Sequence, residues 1–157
     1  LDATARARPG TGVALALGDD VADVALDAWR DHALRVHGSV REATTARHDG
    51  LVVVALDDAD AGTDDADATA RSLGSVARLV RDFRSPEPVV LAHAGGRAAV
   101  ATADADVSTL VAEAASAVGG EARTRAVHGV GTPACAHVEV ERDETEAVVA
   151  ALRRALP

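Results

Sequence analysis

The chain has 157 residues, enough for one compact α/β domain that buries roughly 70% of its extended surface without a disulfide or metal staple. Its formal net charge is −9, and its single cysteine, Cys135, excludes an internal disulfide and a cysteine-rich metal framework. No stretch approaches the length of a transmembrane span, so we expect a cytoplasmic protein with no membrane partner.

The N-terminal third shows weak patterns. Residues 1–12 are polar and contain Pro9, Gly10 and Gly12, which predicts a linker. Residues 13–17 form a short apolar run that predicts a strand, and Asp19 or Asp20 is a suitable cap for a helix ending at Gly38. We therefore expect a strand-helix lead-in over residues 13–48. Because the chain starts at Leu1 and lacks methionine, we also expect it to be a segment of a longer protein.

The middle of the chain has clearer signals. Asp49–Gly50 predicts a turn, and the apolar run 51–56 predicts a strand that is buried on both faces. The acidic segment 57–67 predicts a solvated loop. A helical apolar spacing follows and ends before Pro86. Residues 89–93 and 97–101, joined by Gly95–Gly96, predict a β-hairpin.

The C-terminal third predicts a helix, a strand and a last helix. Asp106 is placed to cap a helix that ends at Gly119–Gly120, and residues 134–141 alternate loosely as a strand does. Asp143 with Glu146 resembles a capping box before the last helix. From Gly50 the predicted order is β-α-β-β-α-loop-β-α. The fold class predicted is a single α/β domain with a mixed β-sheet flanked by helices.

Four segments carry a resemblance to a known family: HDGLVVVAL at 48–56, VVLAHAGGRAAVAT at 89–102, DVSTLVAEAASAVGG at 106–120 and GVGTPACAHVEV at 129–140. Their order resembles the DHH-associated domain that follows the catalytic domain in RecJ-like nucleases and other DHH phosphoesterases. The resemblance implies a nucleic-acid-binding domain over residues 49–157 with single-stranded nucleic acid as its partner. It also implies an upstream DHH catalytic domain that holds manganese or magnesium, and no cofactor in this chain.

The composition resembles that of proteins from salt-in haloarchaea. All 16 basic residues are arginine, lysine is absent, and aspartate is abundant. At 1 M salt the Debye length falls to about 3 Å, so a strongly acidic surface is tolerated. In that setting the negative charge is only a weak argument against nucleic acid.

One glycine-rich segment carries the predicted site. Backbone amides around Gly129 and Gly131 can approach a phosphate closely, and Arg123, Arg125 and His128 can supply positive charge to it. Thr132 stands where the family resemblance implies a histidine, so the phosphate site departs from the family pattern. The alternative is a loop with ordinary turn glycines, and both interpretations stay open.

No catalytic set is predicted in this chain. It contains no Asp-His-His triplet, and His128, Cys135 and His137 match no known zinc spacing, so we predict no metal site here. Cys135 is more simply explained as a small packed thiol. Two functions from different classes remain. One is an accessory domain that grips single-stranded nucleic acid, and the other is a catalytically silent interaction domain of a replisome-associated RecJ relative.

Overall fold

The computed structural model describes residues 8–57, 64–103, 107–118, 123–127, 135–139 and 145–156. Its helices are α1 (Pro9–Ala16), α2 (Ala22–Glu42), α3 (Asp64–Phe83), α4 (Val107–Val118) and α5 (Thr145–Ala155). Its strands are β1 (Thr44–His48), β2 (Leu51–Ala55), β3 (Val89–Ala94), β4 (Arg97–Thr102), β5 (Arg123–Val127) and β6 (Cys135–Glu139).

The strands form a six-stranded sheet in the order β1-β2-β3-β4-β6-β5. Among the described strands, only β2 and β3 pair in parallel, because α3 carries the chain back across one face of the sheet between them. The other neighbouring strands pair antiparallel. Helices cover both faces, which confirms the predicted α/β class with a mixed sheet.

Each face of the sheet has its own hydrophobic cluster. On one face, Leu51, Leu91 and Val100 pack under α4 and α5. On the other face, alternate residues of the same strands pack under α3 and the end of α2. Strands buried on both sides need continuous apolar runs, and this requirement explains why β2 and the β3–β4 hairpin lie where the sequence predicts them.

The N-terminal prediction was wrong in two places. Residues 9–16 form helix α1 instead of a linker followed by a strand. Pro9 occupies the first turn, where its fixed φ suits a helix, and the alanines and leucines that follow are strong helix formers. Helix α2 also runs past Gly38 to Glu42, and its N-cap is Val21, with no capping side chain from Asp19 or Asp20.

Strand β1 was not predicted from the sequence. It is polar and mostly exposed, and it pairs antiparallel with β2 through the turn at Asp49–Gly50. Gly50 has a φ of +77°, as expected of glycine in a tight turn. The domain boundary predicted at residue 49 therefore falls inside a β-hairpin, and the sheet begins at Thr44.

The predicted acidic loop is shorter than expected at its C-terminal end, since α3 already begins at Asp64, while residues 58–63 lie outside the described ranges. Among the helices that the structure describes, none has the length and apolarity needed to cross a bilayer.

Candidate nucleic-acid interface

Arg123 and Arg125 lie on strand β5, not in the loop predicted for them. The segment is short, polar and flanked by glycines, so its sequence carries little strand signal. The segment forms a strand because it pairs with β6 in a regular antiparallel ladder. Residues two apart on a strand belong to one face, so the two arginines share a face roughly 7 Å apart along the strand.

The two arginines pair with different residues of strand β6. Arg123 pairs with Glu139, which also pairs with Arg97 on β4. Arg125 pairs with His137.

The remaining predicted site residues, His128, Gly129, Gly131 and Thr132, lie outside the described residues. In the described flanks, Val127 at the end of β5 pairs with Cys135 at the start of β6, and Cys135 pairs with Ala101 near the end of β4.

Cys135 is half-buried against the cluster under α3, and its Sγ lies 3.9 Å from the carbonyl oxygen of Gly74. This position agrees with a packed thiol. Within the described ranges, no group of three or more His, Cys, Asp or Glu side chains is arranged to hold a metal ion.

A cleft of about 680 Å³ lies on the other side of the sheet, between strands β1–β3 and helix α5. Its polar lining comprises His48, Asp57, His93, Glu146 and Arg153, and its apolar lining comprises Ala46, Val53, Leu56, Val149 and Ala150. The volume suits a nucleoside-sized ligand. Sequence reasoning missed this cleft because its residues come from four separate segments of the chain, and no local motif links them.

The charge of the described cleft lining does not favour phosphate. Among the described residues that line the cleft, Arg153 is outnumbered by the carboxylates of Asp57 and Glu146. Arg123 and Arg125 lie on strand β5, at the opposite edge of the sheet from β1. Three strand spacings, roughly 14 Å, separate β5 from β3, the nearest strand that lines the cleft, so the cleft and β5 are separate places on the sheet.

Glu87 ties the β1–β2 hairpin to the start of β3. Its carboxylate accepts hydrogen bonds from Arg47 Nε at 2.7 Å and from the Gly50 amide at 3.0 Å. The bond from Arg47 is the main cause that holds the pKa of Glu87 below its ordinary value of 4.5. Partial burial opposes this effect, and the Gly50 amide reinforces it. These two hydrogen bonds, called the Glu87 clamp below, connect the β1–β2 hairpin, which lines one side of the cleft, to the segment before β3.

Comparison with known proteins gives three findings. The family model described as "Uncharacterized protein rrnAC1427, C-terminal domain" matches residues 43–154. The uncharacterized protein rrnAC1427 of Haloarcula marismortui is 48% identical over 124 residues, which make up 78% of this chain. The matched region spans only 30% of that relative's length.

The fold is also similar to a solved structure described as a member of the s1p family of ribosomal proteins, DHH domain. The TM-score is 0.51 at 13% identity, over 85% of this chain and 32% of the other. At this identity the likeness concerns the fold alone. The family match covers most of the chain and begins within one residue of strand β1. The chain therefore belongs to the family of the C-terminal domain of rrnAC1427.

Proposed function

We propose that this chain is an accessory domain that holds the phosphate backbone of single-stranded nucleic acid. The strand would be held near its end and presented to a DHH-type phosphodiesterase domain of the same protein. The observation that supports this most is the pair Arg123 and Arg125 on edge strand β5. A glycine-rich segment connects that strand to β6.

The charge of the chain favours binding of phosphate by a few neighbouring arginines over attraction of nucleic acid by the whole surface. With a net charge of −9 the chain repels nucleic acid as a whole, so binding must come from a few arginines placed close together. Guanidinium groups bind phosphate oxygens in a bidentate manner, and glycine amides can approach the same oxygens without a side chain in the way. High salt screens the repulsion from distant carboxylates.

Two observations support a separate catalytic domain: the length of the relative in Haloarcula marismortui and the fold of a similar solved structure. The relative in Haloarcula marismortui is more than three times as long as the matched region, which leaves room for a catalytic domain there. The solved structure with a similar fold is described as a DHH domain protein. In this proposal manganese or magnesium belongs to the catalytic domain, and the present chain only orients the substrate.

The proposal is tested by fluorescence anisotropy with a labelled single-stranded oligonucleotide over a series of potassium chloride concentrations. Arg123→Ala/Arg125→Ala should weaken binding about equally for all base sequences. It should also reduce the slope of log K against log salt by about 1.4, or roughly 0.7 for each phosphate that an arginine no longer neutralises.

A charge-matched control is Arg41→Ala/Arg154→Ala, which removes two exposed arginines from helices α2 and α5. It should bind the oligonucleotide as the parent chain does. If the Arg123/Arg125 variant also binds like the parent, strand β5 is not the phosphate grip.

A second candidate function is protein interaction, in a catalytically silent relative associated with replisome proteins. The observation that favours it is apolar exposure on the first two helices: Leu17, Trp29 and Leu34 are 78%, 54% and 73% exposed. Salt-dependent oligonucleotide binding separates the two functions, because an interaction domain of this kind needs no affinity for phosphate.

A further inference from the structure

Three arginines from different segments converge on a small depression outside the sheet. Arg8 precedes helix α1, Arg35 lies on α2 and Arg71 lies on α3, and together they line a space of about 150 Å³. Asp31 and His32 complete the polar lining. Two of the three arginines precede the region that defines the family, so this feature is separate from strand β5 and from the cleft beside α5.

The packing of α2 against α3 creates the depression. The ring of His32 lies 3.1 Å from Ser75 Oγ, and Arg84 Nη1 donates to the Val40 carbonyl oxygen at 2.9 Å. Residue numbers rise in the same direction on both helices, so the two helices run parallel. Ala28 is buried between them and its small side chain leaves space at the contact.

Among the described residues, none of the three arginines takes part in an ion pair. Within the part of the chain that the structure describes, Arg30, Arg47, Arg81 and Arg97 form ion pairs. No ion pair or hydrogen bond joins the side chain of Arg8, Arg35 or Arg71 to another described residue. In a chain with 25 carboxylates, three neighbouring arginines without such a partner form an unusual concentration of positive charge.

We propose that this depression, the three-arginine pocket, binds a phosphate dianion. The three arginines and Asp31 leave a formal charge of +2 with His32 neutral, which matches a phosphomonoester or inorganic phosphate better than a singly charged backbone diester. A space of about 150 Å³ admits one tetrahedral anion. Guanidinium groups from three segments can surround such an anion with charge-assisted hydrogen bonds.

The test uses isothermal titration calorimetry of the full chain with potassium phosphate, at a fixed potassium chloride concentration that keeps the chain folded. The parent should bind one inorganic phosphate per chain in a saturable manner. Arg35→Gln/Arg71→Gln should weaken that binding about a hundredfold, since each of the two guanidinium groups removed contributes about tenfold through a charge-assisted hydrogen bond. Both side chains belong to exposed residues, so the variant should melt at the parent's temperature.

Two controls separate this pocket from the proposed function. Arg41→Ala/Arg154→Ala and Arg123→Ala/Arg125→Ala should both keep the parent's affinity for inorganic phosphate. Conversely, Arg35→Gln/Arg71→Gln should still bind an oligonucleotide that ends in a 5′-hydroxyl. Failure of strand β5 as a backbone grip would therefore leave the three-arginine pocket standing, and the reverse also holds.

A second pair of titrations identifies the source of the phosphate. If a 5′-phosphorylated oligonucleotide binds more tightly than its 5′-hydroxyl twin, and Arg35→Gln/Arg71→Gln removes the difference, the ligand is a strand end. If the two oligonucleotides bind alike while inorganic phosphate still binds, the ligand is a free phosphate. The proposal is overturned if neither phosphate form binds, or if the charge-matched control loses affinity as much as the Arg35/Arg71 variant.

Discussion

The central strands of the sheet differ from its edge strands in burial and in composition. Strands β2, β3 and β4 are buried on both faces, and almost all their side chains contribute to one of the two hydrophobic clusters. Edge strand β1 is mostly exposed and polar, and edge strand β5 is also rich in polar residues. The central strands therefore supply most of the buried apolar surface that stabilises the fold, whereas the edge strands are rich in polar residues.

In the proposed function the binding residues lie on an edge strand. Residues at an edge need not belong to the buried centre, so their replacement can change binding and leave stability largely intact. An edge strand also presents backbone groups that no neighbouring strand covers, and charged residues there discourage pairing with another chain. The proposed function would therefore give the arginines of β5 two roles, phosphate binding and protection of the sheet edge.

The largest effect is expected at the centre. Leu91→Ala on β3 should reduce the free energy of unfolding by about 2–5 kcal/mol, because Leu91 is fully buried and leaves a cavity when shortened. Leu34→Ala is the matched control, since that leucine is 73% exposed on α2 and should change stability by less than about 0.5 kcal/mol. Urea unfolding of both variants checks the comparison. Equal losses would contradict the exposed position of Leu34.

A smaller effect is expected where an edge joins the centre. Gly50→Ala should destabilise the chain by about 1–2 kcal/mol, because Gly50 has a φ of +77° that an L side chain adopts at a cost. A Cβ there would also meet Leu156 Cδ1 at 3.4 Å. Gly38→Ala, inside α2 with nothing within 4 Å, should instead stabilise by about 0.5–1 kcal/mol. The free energy of unfolding, measured with heat or urea, should fall for Gly50→Ala and rise for Gly38→Ala. Equal losses in both variants would contradict the role given to the φ of Gly50.

The same contrast explains how much of the fold could be predicted from sequence. The apolar runs of β2 and the β3–β4 hairpin were confirmed because burial on two faces dictates their composition. Strands β1 and β5 were not found, since an edge strand buries little and its identity depends on the partner it pairs with. Helix α1 was mistaken for a strand because a short apolar run has no periodicity to distinguish the two.

The candidate sites divide in the same way. The sequence analysis predicted Arg123 and Arg125 as phosphate-binding residues, and that role stays a prediction. It did not predict the strand on which the two residues lie. It contained no sign of the cleft beside α5 or of the three-arginine pocket, because each is assembled from distant segments by helix packing. Local patterns can locate a motif. Convergence of side chains from different elements requires the tertiary structure.

The smallest expected effect concerns Glu87, which holds the edge hairpin to the start of β3. Its pKa in the folded chain lies below the ordinary value of 4.5, chiefly because Arg47 donates a hydrogen bond to the carboxylate. A carboxylate of this kind stabilises the fold at pH values above its unfolded pKa. That contribution is lost as the pH falls through the folded pKa. Glu87→Gln removes the ionised form and should therefore lower stability at neutral pH and have less effect in acid.

The measurement is the urea midpoint of parent and variant at neutral pH and at several values below 4.5. The other carboxylates of the chain titrate in both proteins, so the informative quantity is the difference between the two midpoints, which should narrow as the pH falls. Glu113→Gln, an exposed glutamate on α4, changes the net charge equally and controls for general repulsion. If the difference between the two urea midpoints stays constant with pH, the negative charge of Glu87 does not contribute to the stability of the Glu87 clamp. The link between the edge hairpin and the centre would then rest on the β1–β2 and β2–β3 strand pairing alone.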